Sequence, residues 1–220
     1  MIKLYTTCRL CQGDLTQVFS LGEQAIAGDF GEPKLTRKVP LNLMKCEGCH
    51  LVQLDRTVDR GLLFSSSYGY RSGTNEAMRV HLDWVATEVV EFTPPGFIPE
   101  TWCDIGANDG TLLGSVPEET TTTAFEPSRM DVEFAAEVFH EPFRYIPHKT
   151  YDVITSLAMF YDLDDPYVFV YSIARSLTET GIWVSEQAYL PDILTNNLYD
   201  GICHEHLTYW SLATFEEVLR

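Results

Sequence analysis

Four cysteines stand in two Cys-x-x-Cys pairs, Cys8/Cys11 and Cys46/Cys49. Each pair can close a tight knuckle that turns two sulfurs toward one ion, and two knuckles complete a tetrahedral shell of thiolates. Such a shell leaves no coordination position open, so the spacing predicts a structural zinc in a small ribbon and no chemistry at the metal. Gly13 and Gly48 give turn freedom beside the knuckles, while Leu10, Leu41, Leu43, Leu51 and Leu54 supply the core that the metal would anchor. Iron suits the same shell by softness and geometry. A redox dithiol, or a c-type haem at Cys46-Glu-Gly-Cys49-His50, explains one pair only. Nothing at the N-terminus reads as an export signal, so disulfides are not expected.

A second chemical cluster is Cys203-His204-Glu205-His206. Zinc proteases use His-Glu-x-x-His to place two imidazoles on one helix face, and His-Glu-His has the wrong spacing for that. On an extended segment His204 and His206 would face the same way, and a glutamate nearby could orient an imidazole and raise its basicity. That combination reads as a general base, the alternative being hydrogen-bonded loop histidines.

The third cluster follows an apolar strand, Trp102-Cys103-Asp104-Ile105, which runs into Gly106-Ala107-Asn108-Asp109-Gly110 and then Thr111-Leu112-Leu113. This is the order strand, glycine loop, helix start, in which Gly106 and Gly110 let the backbone turn and a ligand come close. Asp104 and Asp109 put carboxylates where a dinucleotide would carry phosphates, which favours a cationic amino-acid moiety instead. Glu126, in Phe125-Glu126-Pro127-Ser128 at the end of the next strand, is placed to accept hydrogen bonds from both ribose hydroxyls of an adenosine cofactor. Together, Asp104, Gly106, Ala107, Asn108, Asp109, Gly110, Glu126 and Pro127 resemble the S-adenosylmethionine site of Rossmann-like methyltransferases.

The elements that must carry these groups are legible as periods. Met78, Leu82, Val85 and Val89 predict an amphipathic helix over residues 75–92, ended by Pro94-Pro95-Gly96. Beyond it, strands are expected over 101–105, 121–125, 151–155 and 182–188. A helix opened by Asp165-Pro166 carries Phe169, Val170, Ile173, Ala174 and Leu177 on one face and is stopped by Gly181. The alternation predicts a parallel α/β sheet. Residues 128–151 are few for a helix, a strand and a loop, and a capped helix is expected from Ser211 onward. The expected division is a zinc ribbon over 1–58, a connector with a Tyr-rich segment and helix over 59–95, and a Rossmann-like domain over 96–220.

With 220 residues and 45% hydrophobic composition, the chain can bury a real core. A net charge of −17 with only 15 Lys and Arg excludes a broad nucleic-acid surface. The apolar runs are too short to span a bilayer, so a cytoplasmic protein without membrane attachment is expected.

In order along the chain, the two cysteine pairs, Tyr68-Gly69-Tyr70-Arg71-Ser72-Gly73-Thr74-Asn75, the glycine loop, Met159-Phe160-Tyr161-Asp162-Leu163-Asp164-Asp165-Pro166, Ser185-Glu186-Gln187-Ala188-Tyr189 and Cys203-His204-Glu205-His206 resemble the sugar C-methyltransferases of deoxysugar biosynthesis. The resemblance implies S-adenosylmethionine and Zn2+ as cofactors and a nucleotide-linked keto-deoxysugar as substrate, methylated at a carbon beside its ketone. It implies His206 as the base with Glu205 beside it, and Tyr68 and Tyr70 against the sugar or its enolate. Glu186 and Tyr189 would lie in the same crevice, with Asn75 and His204 shaping the substrate wall. It also implies last sheet strands and a further C-terminal domain that these 220 residues do not include. Methylation of another small acceptor, or a zinc- and cofactor-binding fragment without turnover, are the alternatives.

Overall fold

The structure is a computed structural model that describes residues 2–26, 38–64, 68–93 and 97–220. In chain order the strands are β1 (Ile2–Leu4), β2 (Leu15–Ala25), β3 (Lys38–Cys46), β4 (Val52–Leu54), β5 (Arg56–Val58), β6 (Thr101–Ile105), β7 (Thr121–Phe125), β8 (Glu137–Phe139), β9 (Tyr151–Leu157), β10 (Leu177–Glu186) and β11 (Thr208–Tyr209). The helices are α1 (Arg60–Leu63), α2 (Glu76–Phe92), α3 (Pro166–Ser176), α4 (Leu190–Asn196) and α5 (Leu212–Val218). They divide into two compact units. One comprises Met1–Gly69, Phe160–Val170 and Gln187–Arg220, and the other Tyr70–Met159 and Tyr171–Glu186. Among the described residues no helix is long and apolar enough to cross a membrane.

The first unit is built on an antiparallel sheet of order β11-β4-β3-β2, with a separate antiparallel pair β1-β5. Val39, Leu41 and Leu43 alternate inward along β3, the period of a half-buried strand. Leu41, Leu43 and Leu54 form one core together with Leu207 and Tyr209. The expected ribbon leucines are therefore buried, but residues far along the chain complete their cluster. β11 pairs Thr208 with Gln53 and Tyr209 with Val52, which is why this unit is not a continuous stretch of sequence. The boundary expected at Pro94-Pro95-Gly96, like residues 65–67 of the expected connector, lies outside the described residues.

The second unit is the predicted parallel sheet, in the order β10-β9-β6-β7-β8. α2 lays Leu82, Val85 and Val89 on Trp102, Ala124 and Val153, and Asn75 caps it by accepting hydrogen bonds from the amides of Ala77 and Met78. The short span before β9 holds β8 and no helix, in keeping with its length.

Two expectations fail locally. After the glycine loop there is only a 3-10 turn, Leu112–Ser115, because Val116 precedes Pro117 and takes the extended conformation (ψ 145°) that a following proline imposes. α3 stops at Ser176, and Leu177 begins β10, whose register shifts between Leu177 and Ile182. Gly181 sits at that shift, where a Cβ would stand 2.8 Å from the Tyr151 carbonyl oxygen, so it permits a close strand approach and does not stop a helix.

Gly110 is the tightest point of the second unit. Its φ is +84°, and a Cβ would lie 2.0 Å from the Glu133 carbonyl oxygen. Gly110→Ala should cost roughly 3 kcal/mol or more through backbone strain and collision, measurable as a lower denaturation midpoint.

Candidate functional site

The glycine loop is held from two sides. The amides of Gly106 and Ala107 donate to the Phe125 carbonyl, and the Gly110 amide donates to Ala107. Gly106 (φ +74°) and Asn108 (φ 53°) take left-handed conformations that turn the chain directly after β6. The Glu126 carboxylate, 6% exposed, accepts from the Asn108 amide at 2.9 Å and the Ser128 amide at 2.8 Å, one bond to each oxygen. Each oxygen keeps a lone pair, so this buried, pre-oriented acid suits a vicinal diol.

The segment ahead of α2 is fastened to this loop, a contact that no local sequence pattern signals. Ser72 N donates to Asn108 Oδ1 at 2.9 Å, Gly73 N to Asp109 Oδ2 at 2.9 Å, and Asn108 Nδ2 to the Tyr70 carbonyl at 3.0 Å. Asp109 also accepts from Thr111 Oγ1, so its carboxylate helps set the loop's own geometry. The Tyr70 ring is 42% exposed. Asn75, expected at the substrate wall, uses its side-chain oxygen as a helix cap.

Asp104, expected to face the cofactor, is 4% exposed and accepts from Thr155 Oγ1 at 2.7 Å. Burial, reinforced by nearby Glu126, pushes its carboxyl up to about 7 against the Thr155 hydrogen bond. The neutral form is thus the one the fold prefers. Its contribution to stability is complete below pH 4, declines as pH rises and is gone above about 7. Asp104→Asn should remove most of a loss on the order of 4 kcal/mol between pH 4 and pH 8, read from denaturation midpoints at the two pH values.

At the C-terminal edge of β10, Glu186 accepts from His81 Nε2 with both carboxylate oxygens, at 2.9 and 2.8 Å. His81 was not anticipated, because it lies on the polar face of α2. Tyr189 belongs to the other unit, where it bridges to Trp210 and is 43% exposed.

In the first unit His206 is half-buried. Its Nδ1 lies 2.8 Å from the Gly201 carbonyl oxygen, and its ring centroid is 4.1 Å from that of Tyr161. A carbonyl only accepts, so Nδ1 carries the proton and Nε2 keeps the lone pair. Burial holds the imidazole below its ordinary pKa, against the Gly201 bond, and therefore neutral at pH 7. Glu205, expected to orient this ring, does not bond to it. Its carboxyl is raised by burial and hydrogen-bonds with Cys203, and it adds to the burial that drives Asp162 upward. The orienting group is a backbone carbonyl, which leaves no mark in a sequence. His204 is 2% exposed and donates Nε2 to the Val39 carbonyl at 3.1 Å, so it has no surface to offer a substrate. Tyr68 is half-buried and meets Phe64 edge-on, with ring centroids 5.4 Å apart.

The four cysteine sulfurs lie within 4.8 Å of one another. Cys8 and Cys49 are 3.6 Å apart and Cys11 and Cys46 3.4 Å, near the roughly 3.8 Å edge of a tetrahedron with 2.3 Å zinc–sulfur bonds. Leu10 N and Gly48 N point at Cys8 Sγ and Cys46 Sγ, as amides do toward bound thiolates. The donor set fits zinc with no open position.

Comparisons with known proteins agree with both halves. A family model described as a methyltransferase domain matches residues 77–220, and one describing a zinc binding domain matches residues 8–64. The C-methyltransferase NovU of Streptomyces niveus is 25% identical over 234 residues, covering 94% of this chain and 53% of that protein. The chain therefore spans about half the length of this curated relative. Among solved structures, the plantazolicin methyltransferase BpumL in complex with SAH aligns with TM-score 0.50 and 16% identity, over 64% of this chain and 61% of the other, a likeness of fold. A Rossmann-like parallel sheet whose glycine loop and buried acid fit S-adenosylmethionine, together with a four-cysteine zinc-binding segment, places the chain in the methyltransferase-domain family.

Proposed function

We propose that the protein is an S-adenosylmethionine-dependent C-methyltransferase that acts on the carbon beside the ketone of a nucleotide-linked keto-deoxysugar. The observation that carries this reading is the state of His206: a neutral imidazole with its Nδ1 proton committed to Gly201 and a basic Nε2. Methylating the carbon beside a ketone requires a base for the α-proton that the ketone acidifies, and a neutral imidazole with a lone pair on Nε2 can be that base. The NovU relative is named a C-methyltransferase, which supports the same choice.

When bound, S-adenosylmethionine supplies an electrophilic methyl group. Glu126 would hold the ribose of that cofactor, with Gly106, Ala107, Asn108 and Gly110 presenting backbone to it. His206 Nε2 would take the α-proton and carry it as the imidazolium. Phenol hydroxyls from Tyr68 or Tyr70 would donate to the enolate oxygen. Glu186 and Tyr189 are proposed substrate contacts. Cys8, Cys11, Cys46 and Cys49 would hold a zinc that takes no part in bond making.

The test is exchange of the acceptor's α-proton for deuterium, followed by NMR with a panel of nucleotide-linked keto-sugars. Because burial lowers the imidazole pKa, the exchange rate should fall as pH is lowered with a midpoint below 6.5. A midpoint at or above 6.5 would indicate an exposed base and count against His206.

A further inference from the structure

The described part of the first unit joins its metal knuckles to the His206 segment through one buried side chain. Gln53 is fully buried on β4, and its Oε1 accepts from the amide of Arg9, inside the first knuckle, at 2.8 Å. The second knuckle, Cys46–Cys49, is the turn between β3 and β4. Both knuckles therefore bear on β4. On its other side β4 pairs with β11, Gln53 opposite Thr208, and Leu54 N donates to the Leu207 carbonyl at 2.8 Å. Leu207 follows His206 directly. The same strand holds the ring's neighbour, since Leu207 N and Thr208 Oγ1 donate to the Tyr161 carbonyl at 2.8 and 3.1 Å.

A second tie runs from the start of the chain to the Tyr161 turn. Tyr5 Oη, Lys3 Nζ and Thr57 Oγ1 all donate to Asp164, at 2.5, 3.1 and 2.6 Å, and Arg60 Nη2 donates to the Asp162 carbonyl at 2.5 Å. β11 is two residues long, and a strand of that length has no stability apart from the sheet it joins.

We propose that the four-cysteine centre is a positioning device for His206: metal in the knuckles fixes β4, and Gln53 with β11 passes that order to the imidazole. Gln53 is then a positioning residue, with no contact to substrate. The physical consequence concerns the state of one ring; its catalytic meaning rests on reading His206 as the base. Loss of metal by chelation would release His206 while leaving the parallel sheet and its glycine loop intact.

The test uses the full chain, zinc-loaded or stripped by a chelator under reducing conditions. In the loaded protein, 15N-histidine NMR should show His206 fixed as the Nδ1–H tautomer, and amides of residues 204–210 should exchange slowly. Stripping should average the two ring nitrogens and speed exchange over 204–210 at least tenfold, with residues 101–110 unchanged and S-adenosylmethionine affinity within threefold. Gln53→Leu, with one equivalent of zinc retained, should give the averaged ring as well. A fixed tautomer in the stripped protein overturns the proposal, as does loss of protection in 101–110 together with 204–210, which would be general unfolding. A zinc-loaded Gln53→Leu protein with the tautomer still fixed removes Gln53 as the connector. None of these readouts needs turnover, so a failure of the base reading would show separately in the α-proton exchange.

Discussion

His206→Ala should abolish exchange of the acceptor's α-proton, by at least about a thousandfold, while S-adenosylmethionine affinity changes less than threefold. The size of the effect follows from the chemistry. A C–H bond beside a ketone is a weak acid, and in the proposed function its proton goes to the ring Nε2, which keeps its lone pair because Nδ1–H is committed to the Gly201 carbonyl and burial keeps the imidazole neutral. Cofactor affinity should hold because the hydrogen bonds that set Glu126 and the glycine loop do not involve His206. His204→Ala provides the contrast. That ring is buried and bonded to Val39, so its loss should lower thermal stability and leave the pH midpoint of exchange in place. Equal loss of exchange from both variants in folded protein would show that the segment acts through its shape and not through the His206 base.

Glu126→Ala should weaken S-adenosylmethionine binding by about a hundredfold, near 2.7 kcal/mol, by calorimetry. Two effects add. The carboxylate is the expected acceptor for the ribose hydroxyls, and it also fixes the Asn108 and Ser128 amides, so its removal strands a half-buried and a buried donor and loosens the loop. Glu126→Gln should rescue little. A carboxamide has one accepting oxygen, and its NH2 group would face whichever amide the oxygen does not serve. An affinity unchanged in both variants would remove Glu126 from the cofactor site.

The parts of this molecule that sequence made legible are those whose cause is local. β-Branched runs such as Thr121–Thr123 marked a strand, Met78 to Val89 marked α2 by period, and Ser211 announced the capping box of α5. Gly106 and Gly110 were readable because the backbone there needs positive φ. The cysteine knuckles were readable because metal geometry dictates their spacing. What escaped depends on partners remote in sequence. β11 is a two-residue strand that exists only because β4 offers it an edge, and nothing in Thr208-Tyr209 says so. Tyr161 stood in a recognised motif without a role until the fold laid its ring on His206. The helix expected after the glycine loop yielded to Val116-Pro117, a signal present in the sequence but outweighed there by the pattern of the loop. Asp104 and Asp109 were read as ligands by type and position, while their hydrogen bonds to Thr155, Gly73 and Thr111 decide what they do in the free protein.

Carbon methylation is tested by incubating the protein with S-adenosylmethionine carrying a 13C-methyl group and a nucleotide-linked keto-deoxysugar, and locating the label by NMR. A new methyl signal coupled to carbon at the position next to the ketone is expected, appearing only in samples whose α-proton also exchanges. A methyl on oxygen or nitrogen, or α-proton exchange and cofactor binding without any methyl transfer, would contradict it.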